Sequence, residues 1–294
     1  MTANSHATHI RFDDQVIIVT GAGRGLGAAY ARLIAARGGT VVVHDAGVAQ
    51  DGSGFDPSVA DAVASEITAV GGIAAACHEN LEDAAAGERL VAFALERFGR
   101  LDAVVHNAGL VVFVGLAETT PAVWKRIMAV GVDAPFHLAR AAVPHMIARG
   151  YGRIVLTTSG RAMSPGNCVP GLIAYSASKM AQVGLMVGLA AELGDTDIRV
   201  NAISPVAATR MLRRSAPELA PELVAPAVAF LASSACTTSG TVVRAAGGRF
   251  SATWWDGSDG VDLGAANATP ETIALRWQQI SGASNPLGEH RRPT

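Results

Sequence analysis

The sequence is short of aromatics and cysteines, has no excess of either charge and has no long apolar run. Each shortage closes off a class of protein. Aromatic residues make up 5% of the 294, so the apolar half of the chain is carried by small and aliphatic side chains, which suits close helix-on-sheet packing. Three cysteines (Cys77, Cys168 and Cys236) lie far apart and odd in number, a poor disulfide framework with no metal-ligand spacing. They read as reduced thiols of a cytoplasmic protein, and no metal is expected. The 23 Lys and Arg against 25 Asp and Glu give a formal charge of -2. No basic cluster stands ready to neutralise phosphates, so no nucleic-acid partner is expected, and His290-Arg291-Arg292 reads as a solvated tail. The longest apolar stretch, near Val183–Leu193, is broken by glycine and too short to span a bilayer. Met1–His9 lacks the charged-then-apolar pattern of a signal peptide, so no membrane partner is expected either.

What is present is a regular alternation of short β-branched runs and longer Ala-rich helical patterns. The runs predict strands at Val16–Thr20, Thr40–His44, Ile73–His78, Ala103–His106, Arg153–Thr158, Arg199–Ile203 and Thr241–Arg244. Their near-continuous apolar character is that of strands buried on both faces. Helices are predicted near Leu26–Arg37, Ser58–Val70, Asp83–Phe98, Pro121–Ala148, Tyr175–Leu193 and Pro221–Leu231. The alternation implies right-handed βαβ units, hence an α/β fold: one Rossmann-type, doubly wound parallel sheet of about seven strands with helices on both faces. Residues 1–11 read as a flexible N-terminus, 12–248 as a dinucleotide-binding domain with a built-in catalytic site, and 249–294 as a C-terminal appendage and tail. The appendage includes Trp254, Trp255 and a short helix near Glu271–Ile280. The tryptophans either roof an apolar pocket or pack the tail onto the core or a neighbouring subunit.

Thr20-Gly21-Ala22-Gly23-Arg24-Gly25-Leu26-Gly27 follows the first strand and opens the first helix. Glycines let the backbone turn sharply and approach a ligand, and the unpaired N–H groups of a helix start favour a pyrophosphate. Asp45 ends the second strand, where a carboxylate can accept from ribose hydroxyls and repels a 2′-phosphate, which favours NAD over NADP. Arg24 pulls the other way, but Asp45 faces the discriminating group. Further along, Tyr175 and Lys179 are four residues apart and share a helix face. A phenol titrates near pH 10, and bringing it to neutrality takes roughly 4 kcal/mol of differential interaction, part of which an adjacent ammonium can supply. Ser159, just past the fifth strand, can hold a substrate oxygen for proton transfer. A Tyr-x-x-x-Lys pair alone is an ordinary surface pair; the order turn, Asn-Ala-Gly, strand-end Ser, Tyr, Lys gives it meaning.

In that order, Thr20–Gly27, His106-Asn107-Ala108-Gly109, Ser159, Tyr175, Lys179, Asn201-Ala202-Ile203-Ser204-Pro205 and Ala246-Gly247-Gly248, the chain resembles the short-chain dehydrogenase/reductases over about Phe12–Gly248. Within that family, Arg11-Phe12-Asp13, Val41–Gly47 with the loop after it, Tyr151–Val155 and Cys236–Gly240 resemble the (3R)-hydroxyacyl-CoA dehydrogenase domain of peroxisomal multifunctional enzymes and bacterial hydroxysteroid dehydrogenases. The resemblance implies hydride transfer between a nicotinamide and a small-molecule alcohol or carbonyl, in a homodimer or homotetramer. It implies catalysis by Ser159, Tyr175 and Lys179. Cofactor contacts are expected at Gly21, Arg24, Gly25, Leu26, Gly27, Asp45, Asn80, Leu81, Asn107, Ala108, Gly109, Tyr175, Lys179, Pro205 and Thr209.

Several positions depart from the family pattern. Gly131 stands where many members carry an Asn that completes a proton relay to the Lys, the segment Arg161–Ile173 is longer than usual, and Val206 replaces a customary Gly. Glu79 is the alternative to Asn80 beside the adenine. His106, at the end of a buried strand, reads as a core histidine. Two functions remain in view: a secondary alcohol/ketone oxidoreductase, including a secondary-metabolite ketoreductase, and a non-catalytic NAD-binding module.

Overall fold

The structure, a computed structural model, describes residues 9–209, 216–253, 255 and 258–282. Trp254 and His290-Arg291-Arg292 therefore lie outside the described residues. One sheet of eight strands runs through the molecule: β1 (Val16–Thr20), β2 (Thr40–His44), β3 (Ile73–Cys77), β4 (Ala103–His106), β5 (Gly152–Thr157), β6 (Ile198–Val206), β7 (Val242–Ala246) and β8 (Arg249–Thr253). Their order is β3-β2-β1-β4-β5-β6-β7-β8, parallel except for β8. The eighth strand corrects the expectation of about seven. Arg249–Thr253 is mostly exposed and pairs antiparallel with β7 across the two-glycine turn Gly247-Gly248, so it lacks the buried apolar run that marks the central strands.

The helices are α1 (Gly25–Ala36), α2 (Ser58–Ala69), α3 (Ala86–Phe98), α4 (Pro121–Met128), α5 (Ala134–Arg149), α6 (Gly160–Met163), α7 (Ile173–Glu192), α8 (Ala225–Ala232) and α9 (Pro270–Ile280). Burial of alternate strand residues makes two apolar layers. Ile17, Val19, Val41 and Val43 pack under α1, α2 and α8, while Ile18, Val104, Ile154 and Val200 pack under α3, α5 and α7. The sequence predicts one helix over Pro121–Ala148. It is instead broken by a π turn at Ala129–Asp133, whose middle residue, Gly131, sits against α7: a Cβ there would lie 2.8 Å from the Ser178 Cβ. Among the described residues no helix is long and apolar enough to cross a membrane.

Strand order reverses between β1 and β4, so the chain leaves these two strands in opposite directions and opens a crevice at their carboxyl ends. At the opposite edge the buried Asp102 accepts from the Val16 N–H (2.8 Å) and pairs with Arg100 (2.7 Å). That closure leaves the carboxyl side as the open one.

Candidate active site

A cleft of about 510 Å³ occupies the crevice. One end is built from the turn after β1. Gly21 has φ +63°, and a Cβ there would come within 3.0 Å of the Ala108 Cα, so the turn lies directly on the loop after β4. Asn107 pins it by donating from Nδ2 to the carbonyls of Thr20 (3.2 Å) and Gly21 (3.1 Å). The first turn of α1 has no side-chain cap and no acidic residue, and Arg24, Gly25 and Leu26 face the cleft. The uncapped N–H groups there suit a pyrophosphate. Gly27 does not line the cleft. It lies behind the turn, where a Cβ would fall 2.1 Å from the Gly21 carbonyl oxygen, so its glycine serves packing.

Asp45 closes this end. Its Oδ2 accepts from the Gly23 N–H (3.0 Å) and its Oδ1 from the Gly47 N–H (2.8 Å). Each oxygen keeps a further lone pair for a ribose hydroxyl. Beyond it, Glu79, Asn80, Leu81 and Glu82 line the wall. Glu79 pairs with Arg89 and Glu82 with Arg126, while Asn80 turns its own Oδ1 to the Glu82 N–H (3.0 Å). A dinucleotide fits these residues: an anion cradle, a free pair of acceptors for a diol, and a groove of suitable size.

At the other end Ser159 and Tyr175 meet. The Ser159 hydroxyl accepts the Arg161 N–H (3.2 Å) and acts on the neighbouring Tyr175 phenol. Burial pushes the Tyr175 phenol above its usual range, and the Ser159 hydroxyl and the Arg161 guanidinium pull it part of the way back. Lys179 lies beneath, buried, with Nζ 6.0 Å from the Tyr175 ring centre and donating to the Thr157 carbonyl (2.8 Å). Loss of solvent lowers the Lys179 ammonium to about 8. Gly109 makes room for it, since a Cβ there would sit 3.2 Å from Nζ.

His106 is a core histidine with a defined role. Thr20 Oγ1 accepts the N–H groups of Asn107 (3.1 Å) and Ala108 (3.0 Å), so its own proton goes to His106 Nδ1 at 3.2 Å. We therefore assign the proton of the neutral ring to Nε2, which donates to the Val130 carbonyl (3.2 Å) in the π turn. Burial, and then the charge of Lys179, bring this histidine down to about 3.

Of the residues expected at the site, Ser159, Tyr175, Lys179, Gly21, Arg24, Gly25, Leu26, Asp45, Asn80, Leu81, Asn107, Ala108, Gly109, Pro205 and Thr209 all line this one cleft. Trp255 is 49% exposed and does not line it. Sequence reading missed Arg161 and Arg244, which do. Arg161 carried a signal, as a charged residue two positions after Ser159; Arg244 carried none. The long segment before α7 is not a bare loop, since it forms α6 and a 3-10 turn at Pro165–Asn167.

The family model for short chain dehydrogenases matches residues 15–219. The mouse peroxisomal multifunctional enzyme type 2 is 38% identical over 286 residues, which is 95% of this chain and 38% of that protein. The chain spans about a third of the length of the yeast, Neurospora and mouse peroxisomal relatives it matches. Among solved structures, a short chain dehydrogenase from Mycobacterium avium superposes with a TM-score of 0.80 at 35% identity, covering 96% of this chain and 97% of that one. A 7α-hydroxysteroid dehydrogenase complexed with NADH and 7-oxo glycochenodeoxycholic acid superposes with a TM-score of 0.72 at 31% identity, covering 82% of this chain and 96% of that one.

Proposed function

We propose, from the premise that the chain belongs to the short-chain dehydrogenase family, that it interconverts a secondary alcohol and its ketone, with NAD as partner and Tyr175 as acid/base. The observation that carries this reading is that Ser159, Tyr175 and Lys179 line one end of a single cleft whose other end is an uncapped helix start. A nicotinamide dinucleotide held by the β1 turn, Asp45, Asn107 and Lys179 would supply or accept the hydride. In the reducing direction the protonated Tyr175 gives its proton to the ketone oxygen, which Ser159 holds by hydrogen bonding. In the oxidising direction the same phenol oxygen takes the alcohol proton. Burial keeps the phenol protonated at neutral pH, which favours its acid form, and nearby positive charge brings the base form within reach.

The favoured substrate is 3-hydroxyacyl-CoA or hydroxysteroid-like. Support comes from the peroxisomal relatives and from the 7α-hydroxysteroid dehydrogenase, whose complex holds NADH and an oxo bile acid. The same reading takes 12–248 as the catalytic domain, with β8 carried by the appendage, and the assembly as a homodimer or homotetramer. It places the protein in the cytoplasm, on the strength of three free cysteines. The test is a steady-state screen with NAD and NADP over acyl-CoA, steroid and small secondary alcohols, repeated with Tyr175→Phe. Turnover with NAD and a loss of at least about a hundredfold in the variant are expected. Near-normal turnover by Tyr175→Phe would sink the mechanism.

A further inference from the structure

The cleft is electrically lopsided. Its lining carboxylates, Asp45, Glu79 and Glu82, all follow β2 or β3 at the adenosine end. At the substrate end stand two guanidinium groups, Arg161 and Arg244, and no described carboxylate. Neither side chain has a hydrogen bond or ion pair to any described residue, whereas Arg89 and Arg126, near the other end, are both paired.

The fold brings the two together. Arg161 follows Ser159 by two residues and acts electrostatically on Tyr175. Arg244 lies opposite Ser204 in the β6–β7 register. Ala202 and Val242, two residues earlier on these strands, belong to the apolar layer under α7. Side chains alternate along a strand, so Ser204 and Arg244 emerge on that same face, the face of Tyr175. A Cβ on Gly160 would lie 3.9 Å from the Ser204 Oγ, which is buried and has no partner among the described residues. The Ser204–Arg244 pair thus adjoins the Ser159–Arg161 segment. Two guanidinium groups, unpaired among the described residues, thus line the cleft that holds Ser159 and Tyr175, while Leu110, Phe113 and Leu172 supply apolar wall.

We propose that Arg161 and Arg244 form an anion-binding subsite that selects alcohols and ketones carrying a carboxylate or a phosphate. Guanidinium groups suit both, because their fixed fork of donors matches either oxyanion. This rests on the alcohol/ketone reading of the cleft given above. A carboxylate would belong to the substrate skeleton itself, and a phosphate to a carrier group on a thioester.

The experiment compares kcat/KM for 3-oxohexanoate against its methyl ester, and for the CoA thioester against the N-acetylcysteamine thioester. The proteins are wild type, Arg161→Gln, Arg161→Lys and Arg244→Gln. The preference for the anionic member of one pair is expected to fall about 10- to 100-fold in the Gln variants, with part restored by Lys. The ratio cancels any effect of Arg161 on Tyr175 that is common to both substrates. An anionic preference in the first pair assigns the subsite to a carboxylate, and in the second to a phosphate. No preference in either pair, or a preference that both Gln variants leave intact, overturns the proposal. In parallel, hexanoate against hexanamide, and CoA against pantetheine, are titrated calorimetrically into NADH-loaded protein. If the wild type reduces nothing in the panel yet binds an anionic member in an Arg161-dependent way, the functional reading fails and the subsite stands. If it neither reduces nor binds, both fall.

Discussion

Asp45 is asked to do two things with one carboxylate. It ties the phosphate turn to the loop after β2 through the Gly23 and Gly47 N–H groups, and it presents the remaining lone pairs to a ribose. A 2′-phosphate would have to sit against the same negative charge, while the exposed Arg24 across the turn is free of described partners. Asp45→Ala is therefore expected to weaken NAD use by about 10- to 100-fold, the scale of hydrogen bonds to a charged group, and to ease NADP use. Asp45→Asn separates the two jobs, since its carbonyl still accepts one N–H but carries no charge. It should gain NADP activity with less harm to the fold. The readout is kcat/KM for both cofactors, and a wild type that already prefers NADPH contradicts the reading of Asp45. Arg161 illustrates what residue-level reading leaves out. Its type is plain in the sequence, but its lack of a carboxylate partner among the described residues and its place in one cleft with Arg244 exist only once β5 and β7 flank β6.

The elements that hold the site were legible to very different degrees. β1, β2 and β4 have the ends that their β-branched runs predict, because a strand buried on both faces must be apolar throughout and stops where polarity returns. The break in the helix over Pro121–Ala148 has a local mark in Pro135, which has no N–H to offer the Gly131 carbonyl, but the contact with α7 is visible only in the fold. Gly131 lets the backbone of the π turn approach Ser178 on α7, the helix that carries Tyr175 and Lys179. This gives the missing relay Asn a physical account, since any side chain at 131 would displace α7 or the turn. Gly131→Ala should cost about 1–3 kcal/mol as an overpacking change and lower kcat by shifting Tyr175. Gly131→Asn should be worse. Ser178→Gly removes the atoms that a new Cβ would strike, so the double variant is expected to be more stable than the sum of the single costs allows. Urea melts of the four proteins measure the coupling, and strictly additive costs would show that the Ser178 contact does not dictate the glycine.

For the molecule as a whole, His106 joins the parts that meet at the strand-order switch. Through Thr20 it reaches the phosphate turn and the loop after β4, and through the Val130 carbonyl it reaches the π turn. Protonating it would put a hydrogen on Nδ1, facing a Thr20 oxygen already occupied by two N–H groups, next to the buried Lys179. The folded protein therefore resists the proton down to about 3, while the unfolded chain takes it near 6.5. With the folded value depressed, the unfolded state binds more protons between these limits. Stability is then full above about 6.5 and declines as pH falls towards 3, by about 2 kcal/mol between pH 7 and pH 5 from this group alone. His44, buried and likewise pushed down, acts with the same sign, so a variant lacking only His106 keeps part of the slope. Lys179, lowered to about 8, bends the curve elsewhere: the folded state sheds its proton first, and stability rises between about 8 and 10.5. His106→Asn should therefore start from lower stability at pH 7, having lost its link to Val130, yet decline less steeply towards pH 5. Denaturant-derived stabilities of both proteins at pH 7, 6 and 5 compare the slopes. Parallel declines would mean that the switch region does not sense acid through His106.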